Sequence, residues 1–136
     1  MGKMKNIICY LYIILSICLV FSCSDYSEDL GGNYTYMNEG GSLKSISHRF
    51  PKKGGRIPPS VVSYGYNTNF IIAKQIPDSA LIAMGYDREY DYDRGLCDDY
   101  YWLIIKKEQR TLGPMSIHQF NVLKKQYNIP DELKLE

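Results

Sequence analysis

The stretch Tyr100-Tyr101-Trp102-Leu103-Ile104-Ile105-Lys106 constrains this fold more than any other part of the chain. Aromatic and branched aliphatic side chains fill it, and no glycine or proline interrupts it. Residues 100–106 therefore read as a strand. Residues 70–75 form a second run, near-continuously apolar over Phe70-Ile71-Ile72-Ala73, which suits a central strand. The β-branched and aromatic run 61–66 precedes it across Asn67-Thr68-Asn69, so the two read as a hairpin.

Weaker signals surround this centre. Residues 33–37 read as a strand with Tyr34 and Tyr36 on one face. Asn38-Glu39-Gly40-Gly41 is a turn, and residues 42–48 alternate Leu43, Ser45 and Ser47 with Lys44, Ile46 and His48. Residues 49–60 read as a loop, because Pro51, Gly54, Gly55, Pro58 and Pro59 preclude a long element. Residues 79–84 suit one helical turn, 108–110 a turn and 111–112 a short return. The clearest helix follows. Ser116 and Gln119 make a capping box, and Met115 and Phe120 a hydrophobic staple. Ile117, Phe120, Leu123 and Tyr127 form its apolar stripe, and Pro130 forbids its continuation. The expected fold is α+β: an antiparallel β-meander of about five or six strands with a C-terminal helix packed on one face.

The first residues do different work. Lys3 and Lys5 precede an apolar run, and Val20-Phe21-Ser22-Cys23 closes it. This resembles the lipobox of bacterial lipoproteins, with Phe21 bulkier than the usual residue there. The resemblance implies removal of residues 1–22, acylation of Cys23 and an extracytoplasmic, lipid-anchored protein, at the outer membrane or cell surface if the host is Gram-negative. The polar, acidic residues 23–32 read as the lipidated cysteine and a flexible tether, and residues 33–136 as a single α+β domain. Full-chain net charge is +1, and loss of Lys3 and Lys5 leaves the mature chain near −1. That balance argues against a nucleic-acid partner. Cys9 and Cys18 leave with the signal, so Cys97 is the remaining free thiol and no disulfide framework exists within the chain.

Several segments together resemble a family of small bacterial lipoproteins, the domain of unknown function 3997. They are Cys23-Ser24-Asp25-Tyr26, Gly32-Asn33-Tyr34, Ile57-Pro58-Pro59 with Val61 and Val62, residues 69–75, Tyr101-Trp102-Leu103-Ile104-Ile105, and Leu112-Gly113-Pro114 before the helix carrying Phe120. The resemblance implies a single extracytoplasmic domain and brings no activity, cofactor or site residues.

Tyrosine is the unusual residue, 13 in 136. Pairs at spacing two, Tyr34/Tyr36, Tyr64/Tyr66 and Tyr100/Trp102, each lie on one face of a strand. Tyrosine gives large contact area at low entropic cost, so these six residues are the expected interaction surface for an envelope protein. A half-buried sheet face is the plainer account of the same pattern. Glycan binding through Trp102 is the alternative. A small hydrolase or calcium binder would use the acidic loop 87–99, with Asp87, Glu89, Asp91, Asp93, Asp98 and Asp99. Its acids are out of register for an EF-hand and interleave with Arg88 and Arg94, which favours a solvated loop. Arg49, Lys52, Lys53 and Arg56 form a basic loop suited to anionic headgroups or to an acidic partner. Cys97 lacks a base assigned by any motif, whether His48 or His118. No cofactor or metal is expected, and interaction is favoured over catalysis.

Overall fold

The computed structural model describes residues 25–85, 90–95 and 98–136. In chain order the elements are β1 (Tyr26–Gly31), β2 (Tyr34–Asn38), β3 (Lys44–His48), α1 (Pro51–Gly54), β4 (Arg56–Ile57), β5 (Val61–Tyr66), β6 (Phe70–Gln75), α2 (Ser79–Ala83), β7 (Tyr100–Ile105), a 3-10 turn (Lys106–Glu108), β8 (Arg110–Met115) and α3 (Ile117–Gln126).

The α+β class holds, but the strands do not form one meander of five or six. Among the described residues they make two antiparallel four-stranded sheets, β1-β2-β3-β4 and β5-β6-β7-β8. The chain changes sheet at Ile57-Pro58-Pro59-Ser60. Two consecutive prolines have no N–H for a ladder, and Ser60 takes a positive φ of 79°.

The sheets stack, and α3 forms a third layer. Leu30, Tyr34, Tyr36, Ile46 and Ile57 of the first sheet meet Val61, Ile71, Ala73, Trp102 and Ile104 of the second. On the other face of the second sheet, Ile72, Leu103, Ile105 and Met115 meet Phe120, Ile129 and Leu133. The second sheet is thus buried on both faces, which is why β6 and β7 are apolar without alternation. The first sheet has one wet face and alternates. Ser27, Asp29, Thr35, Met37, Ser45 and Ser47 point away from the core.

Three local expectations are corrected. The tether does not extend through residue 32, because Tyr26–Gly31 is β1, paired with β2 from Tyr26↔Asn38 onward. Its alternation sends Glu28 and Leu30 inward, and burial of Leu30 holds the edge strand in place. The return after β7 is six residues long, not two, and takes in Gly113 and a cis Pro114. Proline is tolerated there because β8 is an edge strand. Gly113 also lies against the indole, where a Cβ would stand 2.6 Å from Trp102 Cε3. Within the loop 49–60, α1 and β4 form, β4 pairing Ile57 with Ile46.

The helix follows its sequence signals. Both halves of the capping box are made, Gln119 N–H to Ser116 Oγ and Ser116 N–H to Gln119 Oε1. Phe120 stacks on Tyr101 with centroids 5.3 Å apart. Ile117 departs from the stripe and is 47% exposed, while Ile129 and Leu133, beyond the helix, join Phe120 in the core.

Candidate functional site

The six residues expected to form one aromatic surface separate into a core set and a surface set. Tyr34 is fully buried. Its hydroxyl donates to the Gly54 carbonyl at 2.8 Å and its ring meets the edge of His48. Tyr100 is fully buried too, accepting from Arg94 N–H and donating to the Gly95 carbonyl, both at 2.9 Å. The Trp102 indole is 1% exposed, and Nε1–H donates to Gln75 Oε1 at 2.8 Å. Tyr34, Tyr100 and Trp102 are therefore not interaction-surface residues. A sugar has no face of Trp102 to stack on, which removes the glycan reading built on it. In each case the polar tip finds an internal partner, so the whole ring goes inside.

Tyr36 is buried in the core as well, but its ring packs on Tyr64, and Tyr64 and Tyr66 come together on β5, the edge strand of the second sheet. Tyr36 stacks on Tyr64 at 4.4 Å, and Tyr26 approaches Tyr36 edge-on at 6.4 Å. At their centre is Glu28 of β1. Its carboxylate accepts from Tyr64 Oη at 2.5 Å and from Tyr66 Oη at 2.7 Å. A cleft of about 320 Å³ opens here, lined by Glu28, Tyr64, Gly65, Tyr66, Glu132, Leu133, Lys134 and Glu136. Residues 133–136 close one wall. The Tyr64 N–H donates to the Glu136 carbonyl at 3.3 Å, and the Glu136 N–H to the Tyr64 carbonyl at 3.2 Å.

The electrostatics follow from these bonds. Two phenol donors hold the Glu28 carboxyl below the usual carboxylate range. Burial, then the bond to Glu28, pushes the Tyr64 hydroxyl well above 10, and the same bond raises Tyr66. Lys106 lies beneath. Its Nζ donates to the carbonyls of Leu30 and Asn67 and stands 5.4 Å from the Tyr66 ring. Burial pushes the Lys106 amine down. The cleft thus presents a carboxylate acceptor whose charged form the two phenol donors favour.

Sequence reasoning missed Glu28 by placing it in a tether. The alternation Tyr26-x-Glu28-x-Leu30 before a Gly-Gly turn was the signal that marked it as strand.

The other candidates are accounted for in the same way. His48 is buried. Its Nδ1 lies 2.9 Å from both the N–H and the carbonyl of Phe50 and its Nε2 faces Gln109 Oε1, so both nitrogens are engaged. In the acidic loop, Lys74 pairs with Asp99 at 2.9 Å, and Arg94 with Asp98 at 3.6 Å and Asp93 at 3.9 Å. No group of three or more metal-ligating side chains exists among the described residues. Asp87, Glu89, Cys97 and Cys23 lie outside them. The basic loop becomes α1 and its flanks, with Arg49 above an exposed Phe50 ring at 5.7 Å.

A family model described as "Protein of unknown function (DUF3997)" matches residues 31–136. No curated protein and no solved structure matches the chain.

Proposed function

The chain belongs to the DUF3997 family, and we propose that it is a lipid-anchored module of the bacterial cell envelope that works by binding a protein partner. The anchor reading is supported by Val20-Phe21-Ser22-Cys23 and by the point at which the chain enters the fold. Ser24 and Asp25 alone separate Cys23 from β1, so the domain stands within roughly 10 Å of an acyl-bearing sulfur.

The observation that carries binding over catalysis is the state of Glu28. Both carboxylate oxygens of Glu28 accept from tyrosine hydroxyls, at 2.5 and 2.7 Å, which favours its charged form as a held acceptor over a proton-transfer group. It offers fixed negative charge beside the half-exposed ring of Tyr66, an arrangement suited to a cationic or amide side chain of a partner protein.

The test is crosslinking in native membranes followed by pull-down of the full-length chain. One stoichiometric partner is expected with the wild type, and its loss is expected with Glu28→Gln combined with Tyr66→Ala. Equal recovery by the double variant would remove the cleft from the interface. Repeatedly empty wild-type captures would end the partner reading itself.

A further inference from the structure

The two sheets differ in what covers them. α3 closes the outer face of the second sheet, whereas no described element covers that of the first. That bare face is a shallow depression of about 660 Å³, floored by the short side chains of Ser27, Thr35 and Ser47 together with Met37. Arg49 and Pro51 form its rim at the end where β3 stops. Just beyond stand Lys52 and Lys53 of α1 and the Phe50 ring, which is 59% exposed. Among the described residues no carboxylate pairs with Arg49, Lys52 or Lys53. Asp29 is the carboxylate on the face itself, and its Oδ1 already accepts from Gly31 N–H at 2.8 Å. At the opposite end β1 begins with Tyr26, whose ring turns to the inner side against Tyr36.

We propose that the anchored domain lies on the bilayer through this outer face of the first sheet, with Arg49, Phe50, Lys52 and Lys53, at the end away from the anchor, seated among anionic headgroups. The proposal rests on the lipid-anchor reading. The spacer is what commits the occupant. With Ser24 and Asp25 alone between Cys23 and Tyr26, the domain touches the membrane that holds it, within roughly 10 Å. Charge then decides how it tips. Standing on its anchored end would press Asp25, Glu39 and Asp78 toward the headgroups, with Lys44 as the opposing cation. Tipping onto the bare face brings the basic rim down instead. The length of β1, about 20 Å at the usual rise per residue, is the lever arm. An exposed phenylalanine among cations suits the headgroup boundary, where its ring leaves water while the charges meet phosphates. The Glu28 cleft stays open at the side.

The acylated mature chain, residues 23–136 with Cys97→Ser, is reconstituted into phosphatidylcholine vesicles with or without phosphatidylglycerol. A polarity-sensitive thiol dye is placed at Thr35→Cys on the bare face or at Val122→Cys on α3. The acylated Cys23 does not react. In the anionic vesicles the dye at position 35 shifts to the blue and is quenched by brominated lipid, while the dye at 122 is not. Lys52→Gln and Lys53→Gln each lower the seated population roughly fivefold. Vesicle-bound protein whose dye at 35 is as solvated as that at 122 overturns the seating and leaves the anchor standing. Failure of the wild type to float with vesicles, or equal flotation of Cys23→Ser, overturns the anchor reading and the seating with it.

Discussion

Gln75→Leu should be the most destabilising of the nearly volume-conserving changes in the core. Gln75 is fully buried and its amide is saturated. Its Nε2 donates to the Pro59 carbonyl at 2.9 Å and to Tyr92 Oη at 3.1 Å, and its Oε1 accepts the Trp102 indole N–H at 2.8 Å. Leucine fills the space and makes none of these bonds. Tyr92 is half-buried and can turn its hydroxyl to water, but the Trp102 N–H and the Pro59 carbonyl are left inside. Each orphaned buried group costs about 1–3 kcal/mol, and the apolar surface of leucine returns part of that. A net loss of about 2–4 kcal/mol is expected, a large fraction of the stability of a domain this size. Urea unfolding reads it directly, since Trp102 is the one tryptophan and sits at the site. Trp102→Phe combined with Gln75→Leu sharpens the test, followed by circular dichroism. Once the indole N–H is gone, one orphan disappears, so the double variant should be less damaged than the sum by about 1–2 kcal/mol. A Gln75→Leu protein within about 0.5 kcal/mol of wild type, or strictly additive losses, would refute the reasoning.

Gly65→Ala should detach residues 133–136, because a Cβ at Gly65 would overlap the Lys134 carbonyl oxygen. A loss of about 1–3 kcal/mol and faster hydrogen exchange at the Tyr64 amide are expected, and unchanged exchange there would count against that wall of the cleft. Alkali should destabilise the fold. Tyr34, Tyr36, Tyr64 and Tyr66 all have folded pKa values raised above 10, so their contribution is complete below the unfolded value and is lost as pH rises through the folded ones. Lys106, lowered by burial, works in the opposite direction, one group against four. The melting temperature should fall between about pH 9 and about pH 11, less steeply in Glu28→Gln, where the carboxylate that raises Tyr64 and Tyr66 is gone; a flat profile would contradict the assignment.

How much of this was legible beforehand depends on the range of the interaction. The β5–β6 hairpin, β7 and the capped helix α3 are written in consecutive residues, and each forms where the periodicity places it. The Tyr64/Tyr66 pair reaches the site because it lies on a strand that the sequence marks well. Glu28 was hidden because β1 is an edge strand. Its polar residues look like a tether until β2 supplies hydrogen bonds and Tyr64 and Tyr66 supply donors from about 36 and 38 positions away. Tyr34, Tyr100 and Trp102 misled for the opposite reason. Alternation reveals that two aromatics share a face, but not whether that face meets water or another sheet.

The sequence by itself determined the α+β class, the family, the central strands and the helix with its cap, because those depend on local propensity and on spacing within a single element. The tertiary structure alone decided that the strands divide into two stacked sheets, that four of six candidate aromatics become core, and that Glu28 sits between two phenols. Those outcomes depend on which face packs against which, and that pairing is chosen by burial between segments far apart in the chain.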